Sequence, residues 1–232
     1  MKISSKEGFT LIELLVVIAI IAVLASLVVG LSGTAGRKMK ESRIQAEIAA
    51  IETAIEAYKG KFGHYPPDNP DNPVLNSLYY ELTGALYSPT RGTFKDPMSG
   101  NILNPQLIKE HFGVDGFVNG SKSQSELKKF YEPRAENVRH LSEEHGEDDE
   151  GHGHESHHSD EVHILCVPSP WPLSRDDQPV VHHGKVAKGV NPWRYVSGRP
   201  VNNIKKYDLW AEYVVGDEVW IISNWRSEPF PR

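Results

Sequence analysis

Histidines are the residues of this 232-residue chain whose number and spacing most directly indicate chemistry. Seven of the eleven histidines lie within residues 140–163, among acidic residues, glycines and serines. His154, Glu155 and His158 satisfy the pattern H-E-x-x-H, which in zinc proteases places two metal ligands one helical turn apart beside a general base. That chemistry requires an amphipathic helix beside a cleft. The surrounding glycines and serines show no apolar periodicity, so we interpret the match as a consequence of composition.

Two interpretations of this segment stay open. Its imidazoles are compatible with weak binding of zinc, copper or nickel, and the candidate ligands are His152, His154, His157 and His158. The alternative is a solvated spacer, because residues 141–161 contain nine acidic and no basic residues and almost nothing that a core could bury. We therefore predict a disordered insertion over about 140–161.

No other catalytic arrangement is present in the sequence. The chain contains no G-x-S-x-G elbow, no P-loop and no dinucleotide fingerprint. Its single cysteine, Cys166, lies in an apolar run and is predicted to be a buried, inert thiol. The net charge of −6 does not favour binding of nucleic acid. We predict a protein that is not an enzyme.

An acidic residue stands near the start of the most apolar segment of the chain. Residues 9–29 contain Glu13 as their only charged residue. As a helix they would be about 31 Å long, which matches a bilayer core of about 30 Å. A carboxylate in a bilayer costs about 2.5–3.5 kcal/mol, so such a residue is a candidate for function. A secretory signal peptide and a plain membrane anchor both leave Glu13 unexplained.

Residues 6–21 read KEGFTLIELLVVIAII, which resembles the class III signal of type IV pilins and type II secretion pseudopilins. The resemblance implies that a membrane peptidase removes a leader of residues 1–8 by cutting between Gly8 and Phe9, and methylates Phe9. It also implies that Glu13 neutralises the terminal amine of an adjacent subunit during assembly. Phe9 and Glu13 are four residues apart and are expected to be neighbours on one helical face. The implied location is the bacterial inner membrane, with a single span and a periplasmic head.

Helical periodicity continues beyond the apolar segment. Apolar residues at 44, 48, 51, 55 and 58 follow a 4-3-4-3 spacing, and Gly60 is predicted to end the helix. We therefore predict one helix over 9–59, with 9–29 in the membrane and a head over 60–232. Within the head the sequence predicts short helices at 74–82, 104–112 and 123–130, and strands at 162–167, 193–197, 209–215 and 218–223. The tryptophans are expected to fill the core of the head, with Trp171 exposed.

A second resemblance concerns the C-terminal part. Residues 191–193 (NPW), 207–210 (YDLW) and 222–225 (ISNW) follow the order of elements in the major pseudopilin of type II secretion. That family often carries a calcium loop between its last two elements. Calcium requires six to eight oxygen ligands, and residues 211–221 contain three acidic residues around a turn at Gly216-Asp217. We do not carry the calcium site over and expect no cofactor.

The sequence therefore predicts an α+β protein: a long N-terminal transmembrane helix and a small C-terminal head with a short antiparallel sheet. The leading hypothesis is a pseudopilin of a type II secretion filament. Its expected partners are a prepilin peptidase, other pseudopilin subunits in a homo-oligomeric filament, an inner-membrane assembly platform and the lipid bilayer. Two alternatives are a type IV pilin for adhesion, motility or DNA uptake, and a membrane-tethered metal-binding protein.

Overall fold

The computed structural model describes residues 9–141, 161–182 and 185–232, without the side chains of 26–34 and of His182. The chain divides into two compact units, Met1–Lys40 and Glu41–Arg232. Helix α1 (Leu11–Phe62) belongs to both units. The predicted mixed α+β class is confirmed: the N-terminal part is helical and the C-terminal part carries β-sheets.

Helix α1 is continuous through the glycine-containing residues 30–36, as the sequence predicted. It ends at Phe62, three residues beyond the predicted end. Gly63 has φ 82°, a left-handed conformation that favours glycine, and its N–H donates to the Lys59 carbonyl at 2.7 Å. Within the second unit the predicted apolar face is confirmed, because each of its residues is buried: Ile44, Ile48, Ile51, Ile55 and Tyr58.

The remaining elements are short and lie in the second unit. Two further helices are α2 (Leu78–Thr83) and α3 (Pro105–Phe112). The strands are, in chain order, β1 (Ala85–Ser88), β2 (Thr93–Lys95), β3 (Ile102–Leu103), β4 (Gly120–Ser121), β5 (Val138–Leu141), β6 (Val162–Leu165), β7 (Val181–His182), β8 (Lys185–Val186), β9 (Arg194–Val196), β10 (Asp208–Val215), β11 (Glu218–Ser223) and β12 (Arg226–Pro231).

The C-terminal sheet has the strand order β12-β11-β10-β9 and is antiparallel throughout. The predicted hairpin is confirmed, since Val215 pairs with Glu218 across the turn at Gly216-Asp217. One face of β10 contributes Leu209, Ala211 and Tyr213 to the same core cluster as the buried face of α1. The Tyr213 hydroxyl donates to the buried Glu41 carboxylate of α1 at 2.9 Å.

The sequence did not predict a second sheet, which has the order β3-β2-β1-β4 and includes a parallel pairing of β1 with β4. The helix predicted at 123–130 is also wrong. Only Gln124–Glu126 forms a short 3₁₀ turn. The N–H groups of Phe130 and Tyr131 donate instead to the Leu82 carbonyl at the end of α2, so this backbone is already satisfied outside a helix.

The structure describes only the two ends of the insertion predicted over about 140–161. His140 and Leu141 lie in β5, which pairs with β6, and Asn101 donates to the Glu161 carboxylate at 2.9 Å. Residues 142–160 lie outside the described part.

The predictions for the tryptophans need correction as well. Trp171, which was expected to be exposed, is 2% exposed, and Trp193 is buried as expected. The other three, expected in the core, are only partly buried in β10, in β11 and in the turn between β11 and β12: Trp210, Trp220 and Trp225.

Candidate functional site at the start of helix α1

The N-terminal turn of α1 is fixed by three hydrogen bonds between Thr10 and Glu13. Thr10 precedes the helix, and its backbone N–H and hydroxyl both donate to Glu13 Oε2, at 2.8 and 2.6 Å. The Glu13 N–H donates to the Thr10 hydroxyl at 3.3 Å. This arrangement is a capping box, which satisfies N–H groups that the first turn would otherwise leave without a partner.

The capping box gives Glu13 a local role that we did not predict. The signal was present in the sequence, because Thr10 and Glu13 form the pattern [S/T]-x-x-E immediately before an apolar run. A carboxylate in the first turn also interacts favourably with the positive end of the helix dipole. Glu13 is thus held at the helix start by its own chain, with its carboxylate in an exposed position.

Phe9 lies outside the helix to which Glu13 belongs. Phe9 precedes α1, which begins at Leu11, so the four-residue spacing does not correspond to neighbouring helical positions. Phe9 is 80% exposed. Gly8, the predicted residue on the other side of the cut, lies outside the described residues.

The first unit presents apolar side chains on all sides of α1. Every large apolar residue between Leu11 and Leu24 is between 45% and 81% exposed. Burying one such side chain is worth about 1.5–3 kcal/mol, so this surface favours an apolar environment. Judged on the residues that the structure describes, no helix meets the length and hydropathy of a membrane span.

The candidate metal ligands His152, His154, His157 and His158 lie outside the described residues. Within the described ranges, no group of three or more His, Cys, Asp and Glu side chains is placed to hold a metal ion. Cys166 is buried as predicted, and its burial raises the pKa of the thiol to about 12. The expectation that the chain uses no cofactor stays a prediction.

Comparison with known proteins gives two matches. Residues 3–29 match the family described as the prokaryotic N-terminal methylation motif. Over 126 residues the chain is 34% identical to the type II secretion system core protein G of Klebsiella michiganensis, and the aligned region covers 52% of this chain and 87% of that protein. No solved structure matches the chain.

Proposed function

The chain belongs to the family of the type II secretion system core protein G, and on that premise we propose that it is a pseudopilin, the subunit of a type II secretion filament. The observation that carries the proposal is the methylation motif over residues 3–29, which contains Gly8, Phe9 and Glu13. A type IV pilin is less favoured, because the matched relative is a secretion protein. Subunits of this family are structural, and we infer no catalytic role for this one.

The proposal implies a sequence of partners. A prepilin peptidase removes residues 1–8 and methylates Phe9, and other pseudopilin subunits then associate with the processed chain on an inner-membrane assembly platform. We propose that residues 9–29 hold the chain in the bacterial inner membrane, with the head in the periplasm. The exposed apolar side chains of α1 support this location, since either lipid or neighbouring subunits would cover them.

Mass spectrometry of the native N-terminus tests the processing step. The mature chain is expected to begin at N-methyl-Phe9, eight residues after Met1. Replacing Gly8 by Leu should block the cut, because the peptidase must admit an extended backbone at this position. Gly36→Leu, a glycine substitution far from the cut, should be processed normally. An intact Met1 in a host that has the peptidase, or cleavage near Ala25, would contradict the proposal.

Two substitutions separate the charge of Glu13 from its capping role. Glu13→Gln removes the charge but can still cap the helix, since glutamine also occupies this position of a capping box. Thr10→Ala keeps the charge and removes the cap. If the carboxylate pairs with the amine of an adjacent subunit, Glu13→Gln should be cleaved yet enter filaments poorly, and Thr10→Ala should assemble.

Cross-linking of the variants with wild-type subunits measures this difference. Failure of Thr10→Ala with normal incorporation of Glu13→Gln would show that helix capping, and not the charge, controls assembly. Normal incorporation of Glu13→Gln would remove the charge pairing from the proposal.

A further inference from the structure

Two histidines face each other across the small sheet formed by β5 and β6. His140 and His163 are directly opposite in the antiparallel register, and their ring centroids are 4.4 Å apart. Residues opposite each other in such a pair have Cβ atoms about 4.5–5.5 Å apart and point to the same face. The fold therefore holds two imidazoles side by side through backbone pairing alone.

Each imidazole contacts its own carboxylate through the same ring nitrogen. His163 Nδ1 lies 2.6 Å from Asp96 Oδ2, and His140 Nδ1 lies 2.7 Å from Glu161 Oε1. The contact at His163 is an ion-pair distance and not a hydrogen bond, because Asp96 Oδ2 and His163 Nδ1 are both buried without a hydrogen-bond partner. A carboxylate beside Nδ1 favours the neutral tautomer that carries its proton on Nδ1, and this tautomer leaves the Nε2 lone pair for a metal.

This arrangement is the one that surrounds histidine ligands in metalloproteins. A histidine that binds a metal almost always donates its other N–H to a carboxylate, a carbonyl or a water molecule, which fixes the tautomer and the orientation of the ring. Here both histidines have a carboxylate oxygen within 2.7 Å of Nδ1, in a position to give this support. The two carboxylates also balance the charge of a divalent cation.

The carboxylates are themselves held in place. Asp96 is fully buried and accepts the N–H of Met98 at 2.7 Å. Glu161 accepts a hydrogen bond from the Asn101 amide, and the backbone N–H of His163 donates to the Tyr80 hydroxyl at 3.0 Å. The His163 side chain is 4% exposed and that of His140 is 55% exposed, so solvent reaches the pair from the His140 side.

We propose that His140 and His163 form a two-imidazole site for a divalent transition metal, with zinc, copper and nickel as the class of ligand. Imidazole nitrogen suits these ions, whereas magnesium and calcium select oxygen ligands. Two protein ligands leave the remaining coordination positions to water. The site is independent of the filament role and does not use the histidines of residues 142–160.

The test must separate the pair from those other histidines. The background for all measurements is the full chain in detergent micelles, with the histidines of the intervening segment replaced by asparagine: His145, His152, His154, His157 and His158. Titration with Zn²⁺ gives the affinity, and electron paramagnetic resonance with Cu²⁺ counts coordinating nitrogens. We expect the background protein to bind one ion with a signal from two nitrogens.

Three further substitutions in this background test the assignment. His140→Asn, at an exposed position, should weaken binding of Zn²⁺ at least about tenfold and leave a one-nitrogen copper signal. Glu161→Gln should weaken it by about 10- to 100-fold, the usual effect of removing a partner of a ligating histidine. His64→Asn, an exposed histidine elsewhere in the unit, should change nothing.

Two outcomes would overturn the proposal. One is a background protein that binds neither Zn²⁺ nor Cu²⁺, which would assign any metal binding to residues 142–160. The other is unchanged binding in His140→Asn, which would assign it to another part of the chain. A preserved circular dichroism spectrum in each variant shows that a loss of binding reflects lost ligands and not lost folding.

Discussion

A buried hydrogen bond between α1 and α2 gives the sharpest prediction about the head. Tyr58 of α1 and Glu81 of α2 are both fully buried, and the Tyr58 hydroxyl donates to Glu81 Oε2 at 2.9 Å. The same carboxylate accepts the N–H groups of Val118 and Asn119, at 2.9 and 3.0 Å. Tyr58→Phe removes one of these three donors and keeps the ring.

The magnitude follows from the kind of bond that is lost. A hydrogen bond to a charged group contributes about 1.5–3 kcal/mol. The contacts of the ring with Phe62 and Phe130, at centroid distances of 4.6 and 5.6 Å, are kept. For a unit of this size 1 kcal/mol corresponds to about 2–4 °C in Tm. We therefore expect Tyr58→Phe to lower the Tm of the head by about 3–12 °C at pH 7.

The effect should depend on pH in a defined direction. Burial raises the pKa of Glu81, while the bonds from the two N–H groups and from Tyr58 act to lower it. Removing the Tyr58 hydroxyl raises the pKa of Glu81 further. Below a pH of about 4.3, the pKa of glutamate in an unfolded chain, Glu81 carries its proton in both the folded and the unfolded protein. As pH rises from there through the higher pKa of Glu81 in the folded protein, the free energy of unfolding decreases. The loss of Tm should therefore be smaller at pH 4 than at pH 7.

Thermal denaturation of the full chain in detergent micelles, followed by circular dichroism at both pH values, measures the effect. Tyr65→Phe is the control, because it removes the same group from a partly exposed tyrosine whose hydroxyl contacts Lys59. Surface changes of this kind usually stay within about 0.5 kcal/mol. An equal loss of Tm in the two variants, or a loss in Tyr58→Phe that does not grow with pH, would refute the reasoning.

Three further predictions concern single residues. Gly36→Ala should stabilise α1 by about 0.5–1 kcal/mol, because this helical position has open space around it. Gly113→Ala should destabilise the head, because Gly113 has φ 68° and the Asn69 side-chain oxygen lies 2.7 Å from the added Cβ. The melting temperatures of the two variants should therefore shift in opposite directions. Asn104→Ala should cost about 0.5–2 kcal/mol by removing the N-cap of α3, and Asn104→Asp should retain most of the stability in urea denaturation. Cys166 should resist thiol reagents at pH 8 in the folded protein and react after unfolding, because its thiol is buried and has a pKa of about 12.

Local sequence signals predicted the elements that depend on neighbouring residues. The apolar spacing from Ile44 to Tyr58 defines the buried face of α1, because helical geometry places those positions on one side. Asn104 and Gly113 mark the two ends of α3, since each provides a capping interaction within a few residues. The hairpin of β10 and β11 was predictable for the same reason.

Elements that depend on distant partners were not predicted. Strands β1 to β4 have two to four residues each, which is too short for a period-two pattern, and β4 pairs with β1 after more than 30 intervening residues. The histidine-rich composition of 140–163 concealed His163, which is buried in β6. Its burial follows from the pairing with β5 and from Asp96, a residue far away in the sequence.

The sequence by itself indicated the family and carried the signal for the cap of α1, because the methylation motif and the capping pattern of Thr10 and Glu13 are both read from contiguous residues. It also determined the long helix, whose hydrogen bonds are all local. Only the tertiary structure decided which carboxylates are buried, which strands pair, and that His140 and His163 lie side by side, each against a carboxylate. These features arise from contacts between residues far apart in the chain, and no local pattern specifies such a contact.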